Sequence, residues 1–492
     1  MRKRLTRKIN YPIVLRMLGW LLMVEAMFMF LPMVVAWYYE EMDTAFAFLV
    51  TAVPSLLIGS LMAYRIKPSS SSMNKREGLL LTSSVWLVFS FFGMIPFLLT
   101  HSLPSVTDAF FETMAAFTTT GSTVIRDVES ISHGILFWRS LMQWLGGMGI
   151  ILFTLAVLPM LNYKGGITLF NAEVTGITHE RLRPRVNQTA KGLWMVYMSL
   201  TVLLTLLLLP VMGGFDSLCH ALSTMSTGGY STKNAGIDHW NSIYVTVVVM
   251  LFMFLGGVNF SLIFMASTGR FSRIWKSDVF KWYLKFIFIC SAIIVARMVY
   301  AGFCDNNTER IMYAVFDTIS AITSTGFSTE PYEETGEFIS IVLMFVMFFG
   351  GMAGSTSGGA KLDRLIVLNK SCKNELYRVL HPNSVSAIRI DNKALPQSRV
   401  NTVVLFLAIF MFIIMAVALV LTLYGIPMFD AMFTSMSALS NVGLGYGVTG
   451  VGGSWASLPD PTKWLLAFEM MVGRLELFTV LVLFTRSFWL KD

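Results

Sequence analysis

The chain has 492 residues, of which 55% are hydrophobic and only 13% are charged, and its mean hydropathy is +0.65. Soluble proteins carry about a quarter charged residues, so the composition excludes an ordinary soluble domain and predicts a chain that hides most of its surface in lipid. The net charge of +8 gathers in alternate loops, which is typical of membrane orientation rather than of a nucleic-acid-binding face.

Two apolar segments, at roughly 13–37 and 45–64, open the chain. Each has about the 20 residues that span a hydrocarbon core of roughly 30 Å. The first follows a basic start but is too long for the core of a cleavable signal peptide, so we expect it to stay as a helix. We interpret residues 1–78 as a two-helix preface that stands outside the repeats.

Four units follow, and each predicts a spanning helix, a half-length helix, a glycine-rich return and a second spanning helix. The half-length helices are expected at 107–118, 216–226, 310–323 and 429–439. The spanning segments are expected at 79–100 and 135–161, 190–211 and 241–267, 281–303 and 337–370, and 399–424 and 462–487. The units cover residues 79–189, 190–280, 281–396 and 397–492. The predicted fold is an all-α membrane protein with the preface and four pseudo-symmetric helix–pore-helix–helix repeats around one pore, ten transmembrane helices in all.

A hydroxyl- and glycine-rich segment recurs once in each unit, at 118–123, 226–232, 324–329 and 440–445. The glycines that align are separated by 108, 97 and 117 residues: Gly121, Gly229, Gly326 and Gly443. An aspartate stands 13 residues before three of them, and Tyr313 takes that place in the third unit: Asp108, Asp216 and Asp430. These aspartates fit the outer start of each half-length helix, where a carboxylate can cap free N–H groups or attract cations. Four copies in one register indicate an internal repeat, with a longer period than that of solenoids.

The half-length helices are the elements that indicate the function. A helix of about 12 residues is roughly 18 Å long and cannot cross a bilayer, so the chain must return as non-helical backbone at membrane depth. Such backbone is tolerated only inside protein or along a water-filled cavity. Four returns around one axis would present carbonyl oxygens that replace the hydration shell of a cation. The partly negative C-terminal helix ends favour the same charge, and glycine permits the φ angle that turns a carbonyl inward.

The pattern therefore predicts a four-fold cation pore lined by the returns. The residues expected to bind the ion are Thr119, Thr120, Gly121, Thr227, Gly228, Gly229, Ser324, Thr325, Gly326, Asn441, Val442 and Gly443. Lysine and arginine gather in the loops 162–191, 270–285 and 361–399, whereas the loops 305–309 and 330–337 are neutral or acidic. Because basic loops mark the cytoplasmic side, we expect a multi-pass protein with both termini in the cytoplasm and returns that open outward.

The preface, the four repeats and the short filter segments resemble the Trk/Ktr-type potassium uptake subunits, in particular the TrkH-like branch. The filter segments in question are Thr-Thr-Gly-Ser, Thr-Gly-Gly-Tyr, Ser-Thr-Gly-Phe and Asn-Val-Gly-Leu, and the resemblance covers essentially the whole chain. The fourth segment departs from some relatives in carrying Leu444 where they carry proline, a difference at the outer end of that unit's filter segment.

The resemblance implies potassium uptake across the bacterial cytoplasmic (inner) membrane. The transported ion would be K⁺, with no covalently bound cofactor. It also implies a homodimer with one pore per protomer and a cytoplasmic nucleotide-binding regulatory subunit of the TrkA type. Composition and spacing predict only the cation pore.

Two further stretches gain a gating role from the resemblance. The glycine- and serine-rich segment 349–361 disfavours continuous helix and lacks the GK[ST] ending of a phosphate-binding loop. Arg474 lies in the last spanning segment, where a charge is costly unless it faces the bundle interior or a cavity; it could instead pair with Glu469 or Glu476. The implied gating residues are Gly350, Gly351, Gly354, Ser355, Thr356, Gly358, Gly359 and Arg474.

Two other classes of function compete with a pore. A secondary transporter that couples K⁺ to Na⁺ or H⁺ stays open, although four returns suit a continuous pore better than the two broken helices of an alternating-access fold. An enzyme is not expected, because the chain has no HExxH or G-x-S-x-G motif. The four cysteines lack the spacing of a zinc site. Glu112 and Asp317, each nine residues before the unit's glycine, are expected to hydrogen-bond within the collar of half-length helices.

Overall fold

The computed structural model describes residues 9–68, 73–147, 149, 186–303, 306–328, 336–384, 387–391, 393–450 and 453–490. Helices dominate this part of the chain, and its strands are one short antiparallel pair, β1 (Arg389–Ile390) and β2 (Lys393–Ala394). The end of the first unit's second spanning segment and most of its basic loop, residues 150–185, lie outside the described residues, as do both termini.

The preface consists of two long helices, α1 (Tyr11–Tyr38) and α2 (Met42–Arg65). They pack closely where glycine faces glycine: a Cβ on Gly19 would lie 2.7 Å from the Gly59 carbonyl oxygen, and one on Gly59 would lie 2.8 Å from the Gly19 carbonyl oxygen. Small residues let helix backbones approach in this way in membranes, where hydrophobic burial does not drive helices together.

The first two units show the expected order of elements. The first contains α3 (Lys75–Gly93), α4 (Ile95–Leu99), α5 (Val106–Phe117) and α6 (His133–Gly147). The second contains α7 (Val186–Met225), α8 (Ile243–Gly256), α9 (Phe260–Ser267) and α10 (Ser272–Lys276). Within α7, Gly213 has non-helical angles (φ 75°, ψ 176°), so this run is a spanning helix followed by a half-length helix.

The third and fourth units repeat the order. The third contains α11 (Asp278–Ala301), α12 (Asn307–Ile322), α13 (Glu337–Phe349) and α14 (Leu362–Leu380). The fourth contains α15 (Gln397–Leu423), α16 (Met428–Leu439), α17 (Asp460–Arg474), α18 (Phe478–Leu481) and α19 (Arg486–Trp489). The four half-length helices are α5, the end of α7, α12 and α16, as the sequence predicts.

Within the described residues, the second helix is interrupted in the second, third and fourth units. The sequence predicts a break only in the third, where the twelve residues 350–361 separate the end of α13 from the start of α14. The prediction of a continuous helix over 241–267 was wrong, because α8 and α9 meet at an angle of 105°. The prediction over 462–487 was also wrong, because α17 ends at Arg474 and the next residues include left-handed Glu476 (φ 53°) and Leu477 (φ 42°).

The described residues contain six helices that are long and apolar enough to cross a membrane, or seven if the bent pair α8–α9 is one span. The all-α class is therefore confirmed, whereas the count of ten spanning helices stays a prediction. The half-length helices occupy the centre. All residues of α5 from Ala109 to Phe117 are buried, as are those of α16 from Phe433 to Leu439. Because residues on every side of these two helix ends are buried, protein surrounds them.

Candidate functional site

Each half-length helix ends in the same turn. In α5 the amide of Thr119 donates to the carbonyl of Ala116 (3.0 Å), and the amide of Thr120 donates to that of Ala115 (2.8 Å). This pair of bonds is a Schellman motif, which satisfies carbonyls left free at a helix end. The same pairs end the other three helices: Thr227 to Thr224 and Gly228 to Ser223, Ser324 to Ala321 and Thr325 to Ser320, and Asn441 to Ala438 and Val442 to Ser437.

The central residue of this turn is left-handed in every unit, and in none of them is it glycine. The φ angles are 56° at Thr119, 55° at Thr227, 54° at Ser324 and 53° at Asn441. A non-glycine residue in this region costs on the order of 1–3 kcal/mol and persists only where its surroundings hold it. Such strain concentrates at functional sites, so its repetition singles out these four turns.

The glycines that follow the turns form a closed ring. Their φ angles are 80°, 81°, 81° and 84° at Gly121, Gly229, Gly326 and Gly443. A Cβ built on each glycine would collide with a carbonyl oxygen of the next return. The distances from Cβ to oxygen are 2.0 Å from Gly121 to Gly228, 1.9 Å from Gly229 to Thr325, 2.0 Å from Gly326 to Val442 and 2.2 Å from Gly443 to Thr120. Each return thus contacts the next, and the fourth contacts the first. The four returns surround one axis, and a side chain at any of these glycines would collide with a neighbouring carbonyl.

The residues predicted to bind an ion all lie in these four turns. Their hydroxyl-bearing members Thr119, Thr120, Thr227, Ser324 and Thr325 are completely buried, and so are Asn441 and Val442. In the part of the chain that the structure describes, no group of three or more His, Cys, Asp or Glu side chains is placed to hold a metal ion. The oxygen atoms of these turns are backbone carbonyls, the hydroxyls of threonine and serine, and the side-chain amide oxygen of Asn441.

A buried ion pair stands behind the first return. The Glu112 carboxylate accepts hydrogen bonds from Arg139 Nε (2.9 Å), Thr123 Oγ1 (3.0 Å) and the amide of Val124 (2.9 Å). Both charged side chains are shielded from solvent. The partners of the Glu112 side chain therefore lie in α6 and in the first return, and not on another half-length helix as predicted. Arg139 was not among the residues predicted to matter, although an arginine in an apolar span is itself a signal of an internal partner.

The same cluster reaches the second return through Tyr230. The Arg139 guanidinium lies 4.0 Å from the centre of the Tyr230 ring. The Tyr230 hydroxyl donates to the carbonyls of Glu112 (3.0 Å) and Ser122 (3.2 Å). The residue after a ring glycine in one unit is therefore bonded to the unit before it, which restrains the two returns together.

The segment between α13 and α14 lies against the C-terminal ends of three half-length helices. Thr356 Oγ1 donates to the carbonyl of Met225 in the second unit (3.2 Å). The amide of Gly358 donates to Ser324 Oγ in the third unit, and the amide of Gly359 donates to the Ser440 carbonyl in the fourth (2.9 Å). This segment, here named the crossing loop (residues 350–361), thus lies at one end of the ring.

Glycines and hydroxyls shape the crossing loop. Gly350, Gly354 and Gly359 are left-handed, with φ of 64°, 79° and 74°. A Cβ on Gly351 would lie 2.4 Å from Ser357 Oγ, and Ser355 Oγ lies 2.7 Å from the same oxygen. The predicted break in this helix is confirmed, and the seven predicted gating residues between Gly350 and Gly359 lie in this loop, whereas Arg474 lies at the end of α17.

Arg474 joins the crossing loop to the first unit. Its Nη1 donates to the carbonyl of Thr356 and its Nη2 to that of Gly146, each at 2.9 Å. Glu476 bonds to Arg364, and Glu469 accepts a bond from Ser435 Oγ (2.7 Å), so both glutamates have other partners. Because α17 ends at this residue, Arg474 lies at a helix end rather than inside a continuous helix.

The aspartates at the start of the half-length helices hold neighbouring elements. Asp108 pairs with the buried Lys463 of the fourth unit (2.6 Å), while the cap of α5 is Ser105. Asp216 accepts from Thr232 Oγ1 (2.7 Å), and Asp430 accepts from the Val448 amide (3.1 Å). The capping interpretation of Asp108 was therefore wrong, and these carboxylates fasten the segments that follow the returns.

The sequence profile of the TrkH family, described as a cation transport protein, matches residues 44–296 and 303–490. The chain belongs to the TrkH family. This TrkH-family chain is 34% identical over 488 residues to the Trk system potassium uptake protein TrkH of Salmonella typhimurium, a match that covers 98% of this chain and 99% of that protein. It is 31% identical over 481 residues to the Trk system potassium uptake protein TrkG of Escherichia coli, covering 97% and 98%.

A solved structure extends the agreement to the fold. The crystal structure of the potassium transporter TrkH from Vibrio parahaemolyticus superposes with a TM-score of 0.88 at 31% sequence identity, covering 98% of this TrkH-family chain and 100% of that one. The resemblance drawn from the repeats is therefore confirmed over the whole length. The family's crystal fold and the closed ring support the same architecture.

Proposed function

We propose that this protein takes up potassium across the bacterial cytoplasmic membrane through the ring of four returns. The observation that carries the proposal is the closure of the ring, in which each glycine lies against a carbonyl of the next unit. A ring of carbonyl oxygens can replace the hydration shell of a cation. The choice of potassium comes from the relatives, which are named potassium uptake proteins.

The proposed path begins outside the cell. An ion sheds water onto the oxygens of the ring, where the C-terminal ends of four half-length helices add a favourable field. It then leaves toward the cytoplasm past the crossing loop. Hydroxyls at Thr119, Thr227 and Ser324 stand next to the carbonyls in the chain and are proposed as further oxygen ligands.

The crossing loop and Arg474 are proposed as the gate. The support is the set of contacts to the second, third and fourth units together with the two bonds from Arg474, because these lie across the end of the ring. A fixed positive charge at that place opposes the passage of a cation. Opening then requires that these bonds be released together.

Assembly and location belong to the same proposal. We infer a homodimer with one pore per protomer, a nucleotide-binding regulatory subunit on the cytoplasmic face, and termini in the cytoplasm. The support is the family, together with basic loops such as 270–285, which are expected on the cytoplasmic side.

The deciding experiment is Rb⁺ flux into vesicles that contain the purified protein. Gly326→Ala should abolish the flux, because the new Cβ would lie 2.0 Å from a backbone oxygen that cannot move aside as a side chain does. Gly425→Ala is the matched control: Gly425 has the same left-handed φ (84°) but nothing within 4 Å of its Cβ position, so it tests backbone strain without the collision.

Two outcomes would contradict the proposal. One is wild-type protein that passes neither Rb⁺ nor K⁺, and the other is a Gly326→Ala variant that conducts as well as Gly425→Ala. Flux under an imposed voltage at equal ion gradients separates a pore from a transporter that couples K⁺ to Na⁺ or H⁺, since only the pore needs no second gradient.

A further inference from the structure

The four returns differ at the residue just before the ring glycine. Thr120, Thr325 and Val442 carry side chains at this position, whereas the second unit has Gly228. Its neighbour is the ring glycine Gly229, so this return has two adjacent residues without a Cβ. Glycine has the widest backbone freedom of all residues. Something outside this return must therefore hold its carbonyl groups in place.

Gln143 of α6 occupies the space that a side chain would fill. A Cβ on Gly228 would lie 2.4 Å from Cδ of Gln143, 2.6 Å from its Oε1 and 2.7 Å from its Nε2. Gln143 is completely buried. A residue of the first unit thus completes the packing of the second return.

The Gln143 amide also bonds to the ring. Its Nε2 donates to the Gly228 carbonyl (2.7 Å), and its Oε1 accepts from Ser223 Oγ (2.8 Å) and the amide of Tyr230 (3.3 Å). The partners fix the orientation of the amide, because a carbonyl can only accept and a backbone N–H can only donate. The carbonyl held in this way is the one that lies 2.0 Å from the Cβ position of Gly121 in the ring.

The other units carry methionine at the corresponding position. Gln143 stands three residues before Gly146, and Met253, Met347 and Met470 stand three before Gly256, Gly350 and Gly473. The correspondence is structural for the first and fourth units, where Cβ positions on Gly146 and Gly473 lie 1.8 and 1.9 Å from the last carbonyls of α5 and α16. A thioether has no proton to donate. The one return with glycine just before the ring glycine is therefore also the one that contacts a glutamine, which comes from the preceding unit.

We propose that Gln143 is a positioning residue that sets the ion selectivity of the ring by holding the Gly228 carbonyl. The inference rests on the proposed potassium function. A carbonyl oxygen has two lone pairs, so Gly228 can accept from Gln143 and still face an ion. The bond keeps the most flexible quarter from closing around an ion smaller than K⁺. Without it the ring can contract, and discrimination against Na⁺ falls.

The test is Gln143→Met, which gives the first unit the residue of the other three and removes the donor with little change in volume. In vesicles, the ratio of Rb⁺ to Na⁺ permeation should fall on the order of tenfold, the factor that corresponds to losing about one buried hydrogen bond. Rb⁺ influx itself should change much less. Met253→Leu, also fully buried and without a donor before or after the change, should keep the wild-type ratio.

A double variant separates packing from hydrogen bonding. In Gln143→Ala with Gly228→Ala, the new methyl group enters the space that the amide leaves, but no donor is restored. A low Rb⁺ to Na⁺ ratio in this variant supports the proposal even if Gln143→Met fails to fold. A wild-type ratio in either folded variant overturns the proposal and leaves the potassium function standing. Absence of Rb⁺ entry through the wild-type protein would overturn the potassium function and this inference with it.

Discussion

The central residue of each turn before the ring combines a strained backbone with a polar side chain. Left-handed backbone usually calls for glycine, yet the four units place Thr, Thr, Ser and Asn there. Thr227 Oγ1 and Ser324 Oγ each donate to the carbonyl one residue earlier, at 2.6 and 2.7 Å. Asn441 instead bonds through Nδ2 to Thr120 Oγ1 (3.0 Å) and the Met470 carbonyl (2.8 Å). The Asn441 side chain therefore bonds to the first unit and to α17, whereas the Thr227 and Ser324 hydroxyls donate within their own turns and Ser324 Oγ also accepts from the crossing loop.

The stability of the collar should depend on Arg139. Arg139→Met leaves the Glu112 carboxylate buried without its counter-charge, and breaking such a pair typically costs about 3–5 kcal/mol. The expected result is a clearly lower midpoint of thermal unfolding in detergent. Adding Glu112→Gln should recover part of the loss, since the remaining group is then neutral.

A matched variant isolates the buried pair. Arg297 also lies over a tyrosine ring, 5.7 Å from the centre of Tyr300, but it is partly exposed. Arg297→Met should lower the free energy of unfolding by less than about 1 kcal/mol, the usual size of an exposed cation–π contact. An equal fall in the midpoint of thermal unfolding for the two arginine variants would show that the buried pair does not stabilise the collar.

At the scale of elements, the second helices are the parts that break. In the second unit the break lies at 257–259, in the third it expands into the crossing loop, and in the fourth it follows Arg474. These breaks interlock: the amide of Met352 donates to the Gly257 carbonyl (3.0 Å), and Asn259 Nδ2 donates to that of Ala353 (2.6 Å). A loop fastened to other interrupted helices can be released as a unit, which suits a gate.

The charge at Arg474 should restrain flux. Arg474→Ala removes a fixed positive charge and both bonds that hold the crossing loop to the first unit, so Rb⁺ uptake into vesicles should rise several-fold. Arg486→Ala, a change at an exposed arginine of the same unit, should leave uptake unchanged. Unchanged or abolished uptake in an intact Arg474→Ala protein would remove Arg474 from the gate.

At the scale of the whole molecule, the four units act as one ring because each supplies a glycine to one neighbour and a carbonyl to the other. No unit can form the site alone. The preface lies outside this ring, yet the Glu41 carboxylate accepts from the amides of His133 (2.7 Å) and Gly134 (3.0 Å) at the start of α6. The preface thus holds the second helix of the first unit from outside the ring.

The orientation of the whole bundle is open to a direct test. A reporter fused after residue 492 should be active only in the cytoplasm, and one inserted after the exposed Ala235 should be active only outside. The physical reason is the lysine and arginine excess of alternate loops. An external signal from the fusion at the C-terminus would overturn the predicted topology, including the outward opening of the returns.

The sequence by itself determined the membrane class, the four-fold repeat and the positions of the half-length helices. These features are local: apolar length, turn chemistry and spacing are all visible within one unit. The ring glycines were also predictable, because the four copies of the glycine-rich segment align in one register.

Only the tertiary structure decided which side chains serve the ring. Gln143 and Gly228 are 85 residues apart, and Arg474 and Gly146 are 328 apart, so no local pattern links them. The break after α8 likewise depends on distant partners, because the Gly257 carbonyl accepts from the amide of Met352 and the amide of Phe260 donates to the carbonyl of Gly354. Buried polar groups need hydrogen-bond partners, and the packing of the whole chain determines which residues are close enough to supply them.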